Sequence, residues 1–147
     1  MHAVPLLSAL MFFHTLALAG PRIEPLPAKP ATLESGCRFQ VKAVQGGPPR
    51  TVLEWVGQKA SMRVDGRVLA LSVREQQCSR NCVAPGKTGT RVIHLVSGGV
   101  RATLRVQAFC PKDAEVCSGL FAGRGNLTVF AGGSQTAISV WNEDCDQ

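Results

Sequence analysis

Three glycine turns, each set between strands of alternating character, constrain this chain more than any other feature. They are Asp65-Gly66 (inside MRVDGRVLALSV), Gly98-Gly99 and Gly132-Gly133. Asp-Gly and Gly-Gly pairs supply the positive φ angles that a two-residue hairpin loop demands. With those pairs as loops, the register of each hairpin follows. In the first, Val64 faces Arg67, Met62 faces Leu69 and Ala60 faces Leu71. In the second, Leu95 faces Ala102, Ile93 faces Leu104 and Arg91 faces Val106. In the third, Leu127 faces Ile138 and Val129 faces Thr136. Side chains alternate between faces along a strand, so each hairpin gains one apolar face and one polar face. The outer face of the second carries Val96 with Arg101, His94 with Thr103 and Val92 with Arg105.

The turns recur at intervals of about 33 residues, which suits either a diverged strand–turn–strand repeat or the ordinary spacing of hairpins. Upstream, a strand is expected over Arg38–Val44, a break at GGPPR, and a second strand over Thr51–Val56. No long segment shows the helical period. The expected fold is therefore all-β: a small antiparallel barrel or sandwich of about six to eight strands, mainly hairpins.

Residues 1–19 contain no Lys, Arg, Asp or Glu, and small residues stand at Ala17 and Ala19. An apolar run of this length is short for a spanning helix and suits a secretory signal peptide cut after Ala19. An uncleaved anchor is the alternative. No later stretch is apolar enough to span. Residues 20–36 include PRIEPLPAKP, four prolines in ten residues, and are expected to form an extended arm outside the core. Residues 37–147 are expected to form a single β domain.

Export gives the six cysteines a meaning. An even number in an exported chain reads as three disulfides, with fifteen possible connectivities. The favoured set is Cys37–Cys145 closing the domain, with Cys78–Cys82 and Cys110–Cys117 as local staples. The short paired spacings of a zinc site are absent, and one mature histidine cannot complete a ligand set. No metal and no cofactor are expected.

All charge lies after the cut, so the net +6 belongs to the mature chain. That balance favours acidic partners, namely an anionic envelope component or an acidic protein. The export signal disfavours nucleic acid. His94 is the only histidine beyond residue 19, and no GxSxG elbow accompanies it. Glu143, Asp144 and Asp146 read as a solvated tail. The segment Ala84-Pro-Gly-Lys-Thr88 lacks the first glycine of a phosphate loop, and Asn126-Leu-Thr128 is a formal glycosylation sequon.

One outward-facing set combines arginine with aromatic residues: Arg101, Arg105, Phe109, Arg124, Phe130 and Trp141. Such combinations are enriched where partners bind. The sequence thus points to a periplasmic or secreted, non-enzymatic binding or accessory protein of the cell envelope. The alternatives are an inhibitor of a secreted enzyme and a secreted hydrolase using His94.

Overall fold

The computed structural model describes residues 19–28, 36–42, 46–78, 85–113, 123–142 and 145–146. Residues 1–18, Cys82, Cys117, Glu143 and Asp144 lie outside them, and so does most of the expected signal segment.

Eight consecutive antiparallel strands form an up-and-down meander. They are β2 (Gly36–Val41), β3 (Arg50–Val56), β4 (Lys59–Val64), β5 (Arg67–Cys78), β6 (Thr88–Ser97), β7 (Val100–Phe109), β8 (Gly123–Ala131) and β9 (Ser134–Asn142). Each pairs with the next, and β9 returns to β2 through Gln40 and Trp141, closing a barrel. Closure removes the exposed edge that an open sheet would present. Two short strands add to the ring: β1 (Ile23–Glu24) on β4 and β10 (Cys145–Asp146) on β2.

The three glycine hairpins pair in the register read from the sequence: Met62 with Leu69, Ile93 with Leu104, and Leu127 with Ile138. Asp65 and Gly66 both take positive φ, 47° and 79°, as a type I′ turn requires. A fourth hairpin joins β3 to β4 at Gly57-Gln58, which the sequence reading passed over.

Inward positions fill the interior. Phe39, Leu53, Met62, Ile93, Leu104 and Leu127 are fully buried and form one continuous core. An eight-stranded barrel leaves an interior just wide enough for side chains, so this is a packed core. Arginines such as Arg101, Arg105 and Arg124 face outward and are exposed. Two bulges bend the wall: Val52 is the extra residue of β3 opposite Phe39 and Gln40, and Arg74 that of β5.

The barrel has two distinct ends. One carries the turns at 65–66, 98–99 and 132–133. The other carries Cys37, Cys78, Cys110 and Cys145, which lie at or just beyond strand ends. Cys145 is the direct cross-strand partner of Cys37.

One expectation needs correction. The proline-rich arm was expected outside the core. Among its described residues Ile23 and Glu24 form a strand, Pro21 and Leu26 are buried and Ile23 packs against the core cluster. Charge and backbone bonds hold it there. The Glu24 carboxylate meets Arg22 Nε at 2.8 Å and Arg63 Nε at 3.1 Å, and accepts from the Gly66 amide at 2.9 Å. Arg22 and Asp65 bond through each other's groups, and the Leu26 amide donates to the Thr51 carbonyl. Of the acidic tail only Asp146 is described, and it pairs with Gly36 in β10.

Candidate functional site

The outer face of β7, β8 and β9 carries a groove of about 1030 Å³ towards the cysteine end. Its position follows from the strand registers. Arg105, Asn126 and Ser139 are direct neighbours on successive strands. Extending the β9–β2 register by two residues brings Lys42 beside Ser139. A second row runs parallel to the first. Thr90 pairs with Gln107, one step further along β8 stands Arg124, and Arg124 pairs with Trp141, which pairs with Gln40. Residues two apart on a strand share a face about 7 Å apart, so the two rows make one continuous surface.

Glycine shapes the wall. Gly123 and Gly125 occupy inward positions of β8, where a Cβ would overlap the Gln107 carbonyl and meet the Arg105 carbonyl at 2.5 Å. No side chain fits there without moving backbone, so Gly-Arg-Gly lets β8 lie against β7 closely enough to bend the sheet. Buried Asn142 fixes the next strand: its Oδ1 accepts the Gly123 amide at 3.0 Å.

The lining holds Lys42, Arg105 and Arg124 and, among its described residues, no carboxylate. Neutral donors and acceptors stand between the cations. Ser139 Oγ donates to Asn126 Oδ1 at 3.4 Å, a bond that does not use the two amide N–H donors of Asn126. Gln40 Oε1 is buried with no hydrogen-bond partner among the described residues. Trp141 supplies the aromatic face of the groove, half-buried between Arg124 and Gln40.

The six sequence-selected residues divide. Arg105, Arg124 and Trp141 line the groove together. Arg101 and Phe130 sit four positions along β7 and towards the turn end. There the guanidinium covers the Phe130 ring at 4.8 Å from its centroid, a contact that occupies both groups. Phe109 faces outward and is 46% exposed beside Thr88, beyond the groove. Sequence reasoning missed Thr90, Gln107 and Lys42. The first two were legible as outward positions of their hairpin. Lys42 had no local signal, because its neighbour Ser139 belongs to a strand far along the chain.

His94 lies outside the groove. Its Nδ1 is 3.2 Å from Thr103 Oγ1, its cross-strand partner, and Glu75 is its backbone partner on the other side. Among the described residues no group of three or more His, Cys, Asp or Glu is placed to hold a metal. No helix among them is long and apolar enough to cross a membrane.

Inside the barrel at the cysteine end, Arg91 lies over the Trp55 ring at 5.2 Å, and Trp55 Nε1 donates to the Gly57 carbonyl at 2.6 Å. Burial lowers the Arg91 pKa from its ordinary value. An arginine starts so high that it stays charged at neutral pH. Comparison of the chain with protein-family models, with curated proteins and with solved structures finds no match.

Proposed function

We propose that this is an exported, non-enzymatic binding protein of the cell envelope, whose β7–β8–β9 groove holds an anionic partner. The observation that carries the proposal is the composition of the two rows: three cations, five neutral polar side chains and one indole on a continuous recessed surface. Its volume is of the order that ligand sites have, and its convergent polar groups are what such sites use for orientation. The net charge of +6 supports the sign of the partner, since a basic protein draws anions by long-range attraction.

Export and oxidation belong to the same proposal. The cut after Ala19 leaves Gly20 as the first residue, and the chain docks on the barrel from Pro21 onward. The cross-strand pairing of Cys37 with Cys145 supports a disulfide between them, and the gathering of the described cysteines at one end supports a stapled rim. A hydrolase built on His94 has less support, because that ring is bonded to Thr103 and does not reach the groove.

The test is retention of the mature protein on anionic envelope material. Arg105→Glu with Arg124→Glu is expected to weaken retention by about tenfold or more, equivalent to about 1.4 kcal/mol per decade. Arg101→Glu, at the far end of β7, is expected to retain nearly parental binding. Equal loss in both variants would mean that only net charge matters and would remove the groove from the account.

A further inference from the structure

The cations of the groove are spread out. Arg105 and Lys42 end the same row, three strands apart, which at about 4.8 Å per strand places their backbones about 14 Å from each other. Arg124 stands in the neighbouring row, one strand from Arg105. A single phosphate or carboxylate is held by groups that converge on it, commonly a forked guanidinium. Here the positive charges are separated by amides and a hydroxyl. The groove therefore suits a ligand whose negative charges are also separated, with neutral polar groups between them.

The remaining lining narrows the class. Asn126, Ser139, Gln107 and Thr90 offer both donors and acceptors, the complement of a ligand rich in hydroxyls. Trp141 offers one flat apolar face on which a ring can lie. An extended acidic peptide would gain most by adding a strand to a sheet edge, and among the described residues the strands under the groove, β7, β8 and β9, are each paired on both sides. A single-stranded nucleic acid stacks its bases on successive aromatic platforms, and this groove has one. A bilayer surface is met by protruding apolar side chains, whereas this surface is recessed and its aliphatic lining residues, Val106 and Val140, are buried.

Resting on the groove reading above, we infer that the ligand is an acidic oligosaccharide, carrying its charge as carboxylates on successive or alternate rings. It lies across the strands, from Arg105 on β7 to Lys42 beyond β2. Arg105 and Lys42 take carboxylates near the two ends, and Arg124 takes one beside the ring that stacks on Trp141. Asn126 and Ser139 bond ring hydroxyls between them. A run of about 14 Å needs a short oligomer, so a single sugar meets only one cation.

The experiment is titration calorimetry of the mature protein with four probes: tetragalacturonate, its carboxyl-reduced neutral form, galacturonic acid, and phosphatidylglycerol vesicles. Tetragalacturonate is expected to bind. The reduced tetramer and the monomer are expected to bind at least about tenfold more weakly, and Trp141→Ala is expected to weaken the tetramer without lowering the thermal melt. Absence of tetramer binding, or equal binding of its reduced form, overturns the carbohydrate assignment. Vesicle binding that depends on Arg105 and Arg124, without tetramer binding, overturns it too while leaving the groove reading intact. Parental binding of the anionic probes by Arg105→Glu with Arg124→Glu overturns both.

Discussion

Leu104→Ala measures directly whether the alternation along β7 separates core from surface. Leu104 is completely buried, with Ile93 of β6 and Leu127 of β8 as its cross-strand neighbours. The substitution removes three carbons, worth about 2.4 kcal/mol at about 0.8 kcal/mol per buried methylene. The cavity left in a closed barrel relaxes only in part, and that raises the expected cost to about 3–5 kcal/mol. At this chain length about 4 °C is lost per kcal/mol, so the melting temperature should fall by about 12–20 °C. Thr103→Ala, the next residue, deletes only a partly solvated contact with His94, worth about 1 kcal/mol or less. Thermal and urea denaturation followed by circular dichroism give both values. Equal costs for the two variants would refute the inside–outside assignment of β7, and with it the outward placement of Arg105.

Three other outcomes follow from single contacts. Glu24→Ala removes an acceptor shared by Arg22, Arg63 and the Gly66 amide; it is expected to cost about 1–3 kcal/mol and to speed hydrogen exchange at Gly66, and unchanged exchange would mean that the arm is not held there. Gly125→Ala forces a Cβ against the Arg105 carbonyl and is expected to cost about 1–3 kcal/mol. Gly99→Ala, which meets nothing within 4 Å, should be within about 0.5 kcal/mol of the parent, and a reversed order would contradict the close approach of β7 and β8. Intact mass of the exported protein should lack residues 1–19 and lie about 6 Da below the reduced mass, each disulfide removing two hydrogens. A peptide map should join Cys37 to Cys145, and free thiols at either would count against the stapled rim.

The parts of the fold legible in the sequence were local. Asp65-Gly66 fixes both the loop and the partner of every residue in its hairpin, so Met62 opposite Leu69 follows from two residues of turn chemistry and a period of two. The same reasoning placed Arg105, Arg124 and Trp141 on the outer face before any pairing between hairpins was known. What stayed hidden depends on contacts between distant segments. Barrel closure rests on Gln40 meeting Trp141, about a hundred positions away, and nothing near either residue signals it. The bulge at Val52 breaks the alternation of β3, which carries consecutive buried residues, Val52 and Leu53. Gly57-Gln58 turns the chain without the Asn-Gly or Asp-Gly signature. The proline-rich composition of residues 21–30 suggested an arm outside the core, because composition does not report that Glu24 has two arginines and an amide waiting for it. The groove was half visible for the same reason: its arginines and indole are outward strand positions, while their convergence with Lys42 needs the closed ring.

The most direct test of the central claim is a backbone amide chemical-shift map of the mature protein titrated with tetragalacturonate. The account expects shifts concentrated at Thr90, Arg105, Gln107, Arg124, Asn126, Ser139 and Trp141, with the Trp141 indole N–H among the largest. Arg101, Phe130 and His94, on the same barrel face or its neighbour but outside the groove, should stay still. Shifts centred on Arg101 and Phe130, or none at saturating ligand, would contradict it.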